Sequence, residues 1–328
     1  MKRCLLVPCC FVLLFLSFSG RAERVCADVL VCSLLTDQVL RYDSTTGAYL
    51  GVFASGALID GPQGITVGPD GNVYVASEYS HNVTKWSLGG SYLGEFVSPG
   101  SGGLLGEMDL QFGPDGNLYV ISHLTFDPLM MWKFDGTTGA FISKLGAPGG
   151  PGHTHGLTID SAGNFYVGQL DMTAILKYDS FGTALGPAAI DPVGFPTLLD
   201  IVIGPDGNIY TSSSSPGNVR RYDGTTGAFM GVFASVPGGS PTWGMQFHTD
   251  GNLYVSAGTG VARFDGTSGA FLGALVPPGS GGLSGAAGLT FISAIPEPGA
   301  GWVIVALLLG LSVRRNKLQK KYLRPHAV

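Results

Sequence analysis

Short runs of alternating apolar and polar residues recur along the chain, and each is closed by a turn rich in Gly, Pro, Asp and Asn. The clearest unit has β-forming residues at 65–67, a Pro-Asp-Gly turn at 69–71 and a second run at 73–75. Two more runs follow, near 83–86 and at 92–96. Pro presets φ and Gly accepts the left-handed conformation, so these turns favour hairpins. The pattern predicts four short antiparallel strands per unit.

This unit repeats. A Gly-Asn turn flanked by β-forming residues occurs at 68–75, 113–120, 160–167, 204–210 and 248–255, and its Asn residues are 45, 47, 44 and 44 positions apart. A second motif, with a basic residue, an aromatic residue and Asp-Gly-Thr-Thr-Gly or a close variant, has six copies, which begin at Arg41, Lys85, Lys133, Lys177, Arg221 and Arg263. Four strands at this period are typical of a propeller blade. A solenoid is the alternative, and the density of glycine turns excludes a helical one.

The two ends of the repeat region complement each other. Residues 28–53 supply strands two to four of a blade, and Gly288 to Phe291 supply an isolated first strand. Pairing them completes a sixth blade and removes the exposed sheet edges. The prediction is an all-β, six-bladed β-propeller of four-stranded blades over residues 28–293, closed by three strands plus one.

The N-terminus has the pattern of a secretory signal. Lys2 and Arg3 precede an apolar run from Cys4 to Phe18, and Val25-Cys26-Ala27 offers a small-residue cleavage site. We predict a signal peptide over residues 1–27. The alternative is a retained membrane anchor, but the run is shorter than the ~20 residues that span a bilayer.

A second apolar segment lies near the C-terminus. It is uncharged from Ala300 to Val313, begins near Trp302 and ends at Arg314-Arg315. An aromatic residue at one end and basic residues at the other predict a transmembrane helix over 300–315 with a basic cytoplasmic tail over 316–328. A buried core helix is the alternative. Residues 294–299 form a linker that contains Pro296, Glu297 and Pro298.

Charge separates the repeat region from the ends of the chain. Between Asp28 and Pro298 there are eight Lys or Arg and 22 Asp or Glu, a net charge of −14, whereas the whole chain carries −5. Such an acidic surface repels phosphate backbones, so nucleic acid is not an expected partner. Of five cysteines only Cys32 lies beyond residue 27. An internal disulfide in the exported domain is therefore excluded.

The order Pro296-Glu297-Pro298, apolar stretch and Arg314-Arg315 resembles the PEP-CTERM sorting signal of Gram-negative bacteria that produce exopolysaccharide. That resemblance implies export across the inner membrane, processing by an exosortase-type enzyme, and either membrane anchoring or release to the cell surface or extracellular matrix. The chain departs from the pattern in one respect. Thirteen residues follow Arg315, a longer tail than is typical of the signal.

The repeat spacing resembles NHL-repeat and SMP-30-like propellers over essentially all of 28–293. In those families the residues just before each first strand line the mouth of the channel, and the lactonases and lyases among them use carboxylate, amide or His ligands there for a metal. The corresponding candidates in this chain are Gln63, Asp109, His155, Asp200 and Trp243. Among them Asp109, His155 and Asp200 are the possible ligands of a calcium or zinc ion. The alternative is that both Asp residues are structural and bond turn amides.

Two functions follow as hypotheses. The first is a non-enzymatic, surface- or matrix-associated propeller that binds a ligand or a partner, such as exopolysaccharide or a surface protein. The second is a metal-dependent hydrolase or lyase working at the channel mouth. The sequence contains no Gly-x-Ser-x-Gly elbow, and Cys32 lies within a predicted strand, so covalent hydrolase chemistry has no candidate nucleophile.

Overall fold

The computed structural model describes residues 28–56, 58–122, 131–146, 154–169, 174–192 and 197–292. These residues form 24 β-strands in six four-stranded antiparallel sheets. In this part of the chain no helix is long and apolar enough to cross a membrane. The predicted signal peptide, linker, sorting helix and basic tail, at 1–27 and 294–328, lie outside the described residues.

The sheets are the six predicted blades, numbered here along the chain, and the strands of each are given from the inner edge outward. Blade 1 contains β24 (Ala286–Ile292), β1 (Asp28–Ser33), β2 (Gln38–Asp43) and β3 (Tyr49–Ser55); blade 2 contains β4 (Pro62–Val67), β5 (Val73–Ser77), β6 (Asn82–Trp86) and β7 (Tyr92–Val97); blade 3 contains β8 (Glu107–Phe112), β9 (Leu118–Ser122), β10 (Met131–Phe134) and β11 (Phe141–Leu145). Blade 4 contains β12 (Thr154–Ile159), β13 (Phe165–Gln169), β14 (Ala174–Tyr178) and β15 (Ala184–Ile190); blade 5 contains β16 (Leu198–Ile203), β17 (Ile209–Ser213), β18 (Asn218–Tyr222) and β19 (Phe229–Ser235); blade 6 contains β20 (Thr242–Phe247), β21 (Asn252–Ala257), β22 (Gly260–Asp265) and β23 (Phe271–Val276).

The ring closes by the predicted exchange of strands. β24, the last strand, pairs antiparallel with β1, the first, and the register places Asp28 opposite Ile292 and Val31 opposite Leu289. The inner strands contact one another in the order β24, β4, β8, β12, β16, β20 and back to β24. The prediction of six blades with three-plus-one closure is therefore confirmed.

The Asp of the first repeated turn organises its hairpin. In blade 2, Asp70 accepts hydrogen bonds from the backbone N–H and side-chain amide of Asn72 and from the hydroxyl of Tyr74. Lys85 on the third strand places its ammonium 2.7 Å from the same carboxylate. The basic residue of one motif thus pairs with the Asp of the other, which explains why the two motifs recur together.

The second turn joins neighbouring blades. Gly139 in the turn before β11 has a φ of +73°, and a Cβ built there would lie 1.8 Å from the carbonyl oxygen of Phe96 in β7 of blade 2. Only glycine fits a backbone contact this close in the left-handed region. Gly116, in the first turn of the same blade, has a similar φ of +77° but open space around it. Glycine in the first turn is therefore needed only for its positive φ. Glycine in the second turn is needed also because the neighbouring blade leaves no room for a side chain.

The recurrent Tyr of the second strand packs between blades, as its repetition indicates. Tyr74 lies with its ring centroid 4.9 Å from that of Phe96 in its own blade and 4.9 Å from that of Phe112 in blade 3. Both contacts are edge-to-face, an arrangement that stabilises aromatic pairs beyond the area they bury. Such aromatic contacts, together with buried aliphatic side chains, form the core between blades.

Candidate functional site

The inner strands of all six blades line a cavity of about 200 Å³ on the propeller axis. Its lining contains every channel-mouth residue predicted from the sequence: Gln63, Asp109, His155, Asp200 and Trp243. They lie within β4, β8, β12, β16 and β20, one in each strand, and not just before the first strands as the sequence predicts, because the inner strands begin two or three residues earlier than expected. Residues up to 180 positions apart, from Gln63 to Trp243, are thus brought to one site by the closure of the ring.

The third residue of each inner strand sets the distance to the neighbouring inner strand. It is Gly in four blades and Asp109 or Asp200 in the other two. A Cβ at Gly64 would lie 3.0 Å from the Cα of Asp109, and one at Gly288 would lie 2.3 Å from the carbonyl oxygen of Gln63. At the glycine positions the next inner strand therefore comes too close for any side chain.

Asp109 and Asp200 bridge the two remaining junctions. In Asp109, Oδ1 accepts the backbone N–H of Leu110 at 2.8 Å, and Oδ2 accepts that of Leu157, in blade 4, at 3.1 Å. Asp200 repeats this arrangement: Oδ1 accepts the N–H of Ile201 and Oδ2 that of Met245, in blade 6, both at 2.7 Å. Both Asp residues therefore bond backbone amides, as the structural alternative predicts. The prediction that these amides lie in turns is wrong, because they belong to inner strands.

The channel environment favours the protonated forms of these two carboxyls. Burial raises the pKa of Asp109, and the backbone N–H groups that it accepts offset only part of this effect. Burial also raises the pKa of Asp200, and the negative charge of Asp109 raises it further. Two carboxylates that repel each other in a poorly hydrated space do not both ionise readily. The site therefore carries less negative charge than its composition suggests.

The rim beside these acids is polar and aromatic. Gln63 is buried, and its Nε2 donates to Oε2 of Glu78 at 2.8 Å. His155 and Trp243 are both half-buried in the cavity wall, and the carbonyl of Trp243 accepts the hydroxyl of Ser212 at 2.6 Å. A neighbouring strand thus holds the backbone of Trp243 in the cavity wall.

The mouth residues do not fit a calcium or zinc site. Ca²⁺ takes six to eight oxygen ligands, and a catalytic Zn²⁺ takes three protein ligands. In the described part of the chain no three His, Cys, Asp or Glu side chains lie where they could hold a metal ion together. All four carboxylate oxygens of Asp109 and Asp200 already accept backbone hydrogen bonds. We derive no step through a metal.

Sequence reasoning missed Glu107, which lies two residues before Asp109 at the start of β8. Its side chain has no exposed surface, and neither carboxylate oxygen has a hydrogen-bond partner among the described residues. Burial raises the pKa of Glu107 to about 8. A signal was present in the sequence, because the equivalent positions of the other blades are all non-ionisable: Pro62, Thr154, Leu198, Thr242 and Ala286.

Comparison with known proteins supports the fold and leaves the activity open. No protein-family model matches the sequence, and no curated protein matches it. Among solved structures, a streptogramin B lyase matches with a TM-score of 0.53 and 19% identity, over 67% of this chain and 70% of its own. A protein assigned as a gluconolactonase matches with a TM-score of 0.54 and 17% identity, over 66% and 78%. A chain of a nidogen/laminin complex matches with a TM-score of 0.63 and 14% identity, over 82% and 98%.

These similarities extend to the six-bladed architecture and no further. The lyase and the lactonase are the kinds of propeller that the repeat spacing resembles, so that resemblance holds at the level of the fold. At these identities no residue of a neighbour can be assigned to this chain, because one propeller architecture serves many unrelated functions.

Proposed function

We propose that the chain is an exported propeller that binds a ligand or a partner at the mouth of its channel. The observation that carries the proposal is the state of the two channel acids. Asp109 and Asp200 are committed to backbone hydrogen bonds between blades, and Gln63, His155 and Trp243 stand beside them around a cavity. Such a site can recognise a ligand through contacts with Gln63, His155 and Trp243, while the two acids hold the blades together.

The lining restricts the chemistry of the ligand. Among the residues that the structure describes, none that lines the channel cavity is Lys or Arg. An anionic group would enter an acidic domain without a cation to pair with it, at a large cost in desolvation. A half-buried Trp beside amide and imidazole groups favours an uncharged polar ligand with one apolar face. A neutral segment of exopolysaccharide has these properties.

The binding proposal predicts a strong dependence on Trp243. Trp243→Ala should weaken binding of a neutral oligosaccharide such as maltotetraose by about 30-fold, because truncating a central aromatic anchor costs about 2 kcal/mol or more. Isothermal titration of the full chain measures this change. Phe181→Ala is the control, since Phe181 is 83% exposed and lies outside the cavity lining. Equal affinity in both variants, or no binding to the unaltered chain, would count against a sugar ligand at this mouth.

We also propose that the C-terminal segment directs the protein to the cell surface. The support comes from the sequence alone: Pro296, Glu297 and Pro298, the apolar stretch, and Arg314-Arg315 stand in the order of a sorting signal. Export, membrane anchoring and processing by an exosortase-type enzyme follow from that proposal.

A shortened chain tests the anchor. A variant that ends at Ile295 should leave the membrane fraction and appear in the soluble fraction, because it lacks the apolar stretch and the basic residues that would hold that stretch in the bilayer. Cell fractionation with an antibody against the propeller measures the distribution. If the shortened protein remains with the membrane, the C-terminal segment is not the anchor.

The second candidate is a metal-dependent hydrolase or lyase. The observation that favours it is that Asp109, His155 and Asp200 line one cavity, although no three His, Cys, Asp or Glu side chains of the described residues are placed to hold a metal ion together. Metal analysis of the purified chain separates the two candidates. Stoichiometric calcium or zinc that is lost when Asp109 and His155 are replaced by Ala would support the enzyme, and a metal-free protein with unchanged stability in chelator would exclude this candidate.

A further inference from the structure

The end of the ring at which the inner strands begin carries an apolar surface on one side. Four consecutive loops at this end each expose one large apolar side chain: Leu35 is 71% exposed, Leu58 39%, Tyr79 57% and Leu105 42%. We call these four residues the blade 2 surface, because their loops lie in or beside that blade. The other described parts of the loops at this end expose no Leu, Ile, Val, Met, Phe, Tyr or Trp: 191–192, 197, 214–217, 236–241, 258–259 and 277–285.

Hydrogen bonds join the four loops of the blade 2 surface to one another. The first loop is joined to the second by the backbone N–H of Gly61, which donates to Oδ1 of Asp37 at 2.9 Å. The second is joined to the third by the backbone N–H of Tyr79, which donates to a carbonyl oxygen of the second loop at 3.1 Å. The third is joined to the fourth by the backbone N–H of Gly106, which donates to Nδ1 of His81 at 3.0 Å. The four apolar side chains therefore belong to one connected surface.

A twin loop shows that the fold does not require one of these apolar side chains. Residues 99–106 and 278–285 have the same sequence except at the seventh position, which is Leu105 in the first loop and Ser284 in the second. Both loops contain a 3₁₀ helix of three residues, and both bury the Leu before the variable position. The loop thus keeps its structure with Ser at this position, and the exposed Leu105 adds apolar surface that the loop itself does not need.

The charge on the blade 2 surface is negative. Its four loops contain Asp37, Asp60 and Glu78 and no Lys or Arg. The negative charge of Glu78, burial, and the charges of Asp60 and Asp37 all raise the pKa of the Tyr79 hydroxyl, so the three carboxyl groups lie around this side chain. Asp37 and Asp60 are exposed, and no ion pair among the described residues includes either of them. Both are therefore available to a cation on a partner.

We propose that the blade 2 surface docks a peptide segment of another protein that carries Lys or Arg next to Leu or similarly apolar residues. Contiguous exposed apolar side chains on a folded domain mark interaction sites. The carboxylates beside them attract a cationic partner and repel the phosphate groups of anionic lipids and nucleic acids. Charge complementarity thus selects a basic segment. No residue of the blade 2 surface lines the channel cavity, so this proposal is independent of the function proposed for the channel.

Reversing one charge tests the electrostatic part of the proposal. The probe is a fluorescein-labelled peptide of sequence Lys-Leu-Lys-Leu-Lys, titrated with the full chain and followed by fluorescence anisotropy. Asp60→Lys should weaken its binding at least tenfold, because a cation then stands in the place of an anion on the surface. Glu95→Lys is the matched control. It makes the same change in net charge at an exposed position of β7, outside the surface, and should weaken binding less than threefold.

Removing one apolar side chain tests the contact without a change of charge. Leu105→Ser should weaken binding of the probe at least threefold, and the twin loop with Ser284 shows that this loop folds with Ser. Leu93→Ser is the control, because Leu93 is 51% exposed on β7 and lies outside the surface, and it should leave the affinity unchanged. A second probe of sequence Lys-Ser-Lys-Ser-Lys should bind at least tenfold more weakly than the first.

Three results would overturn the proposal. The first is a failure of the Leu-containing probe to bind at millimolar concentration. The second is equal affinity for Asp60→Lys and Glu95→Lys, since binding would then respond to net charge alone. The third is equal affinity of the two probes, or of Leu105→Ser and the unaltered chain, since the apolar surface would then contribute nothing.

Discussion

Raising the pH from 5 to 8 is expected to destabilise the folded propeller, and Glu107→Leu should reduce that loss. Glu107 has a pKa of about 8 in the folded protein, against an ordinary value of 4.5. Between these two values the folded state binds a proton that the unfolded state releases. The stabilising contribution is complete below pH 4.5 and is lost as the pH rises through 8.

The expected size of this effect is about 1.4 kcal/mol for each pH unit, or about 4 kcal/mol between pH 5 and 8, from this one group. Asp109 and Asp200 act in the same direction, because the pKa values of both are raised by burial. Leu is the replacement of choice, since Leu198 occupies the equivalent position in blade 5 and is fully buried.

Chemical denaturation at several pH values measures the slope of unfolding free energy against pH. The Leu variant should be more stable than the unaltered chain at pH 8 and should show a shallower slope. Asp60→Asn is the control, because Asp60 is exposed in the loop before β4 and its removal should leave the slope unchanged. An identical slope in the Leu variant and the unaltered chain would show that Glu107 does not carry the extra proton.

The second large effect is expected at a buried ion pair between blades 4 and 5. Asp191, after β15, places Oδ2 2.5 Å from Nη1 of Arg220, and the same oxygen accepts the hydroxyl of Tyr222 at 2.6 Å. All three side chains are buried. Arg220→Ala should cost about 3–5 kcal/mol of unfolding free energy, because it removes the cation that compensates the buried carboxylate of Asp191.

Removing both charges should cost less than removing one. In the double variant Asp191→Leu with Arg220→Leu no uncompensated charge remains, and Leu occupies the position of Arg220 in blades 1 and 4, as Leu40 and Leu176. Lys133→Met is the surface control: its partner Asp115 is 39% exposed, so a loss of at most about 1 kcal/mol is expected. Urea denaturation measures all three, and a loss in the double variant as large as that in Arg220→Ala would show that the carboxylate of Asp191 does not depend on its cation.

The candidate site was predictable in outline because of the repeat. The residues at the start of each inner strand could be counted along the chain, and all five predicted residues line one cavity. The role of each of these side chains could not be predicted from its position in the repeat. Whether Asp109 coordinates an ion or accepts the N–H of Leu157 depends on how closely two inner strands approach, which no local pattern records.

Glu107 shows the same limit. It lies at a position where one blade departs from the others, because the equivalent residues of the other five blades are non-ionisable. This departure is visible in the sequence once the blades are aligned. Its consequence, a buried carboxyl without a hydrogen-bond partner among the described residues, arises only in the packed ring.

The sequence by itself determined the number of blades, the four strands in each and the closure of the first blade by the last strand. These features rest on local physics: turns that require Gly, Asp and Asn, strands of alternating residues, and a period that repeats. Only the tertiary structure decided which acids accept hydrogen bonds from a neighbouring blade and which one is buried without a hydrogen-bond partner among the described residues. Those outcomes depend on distances of a few ångströms between residues about 50 positions apart, and such distances exist only in the packed ring.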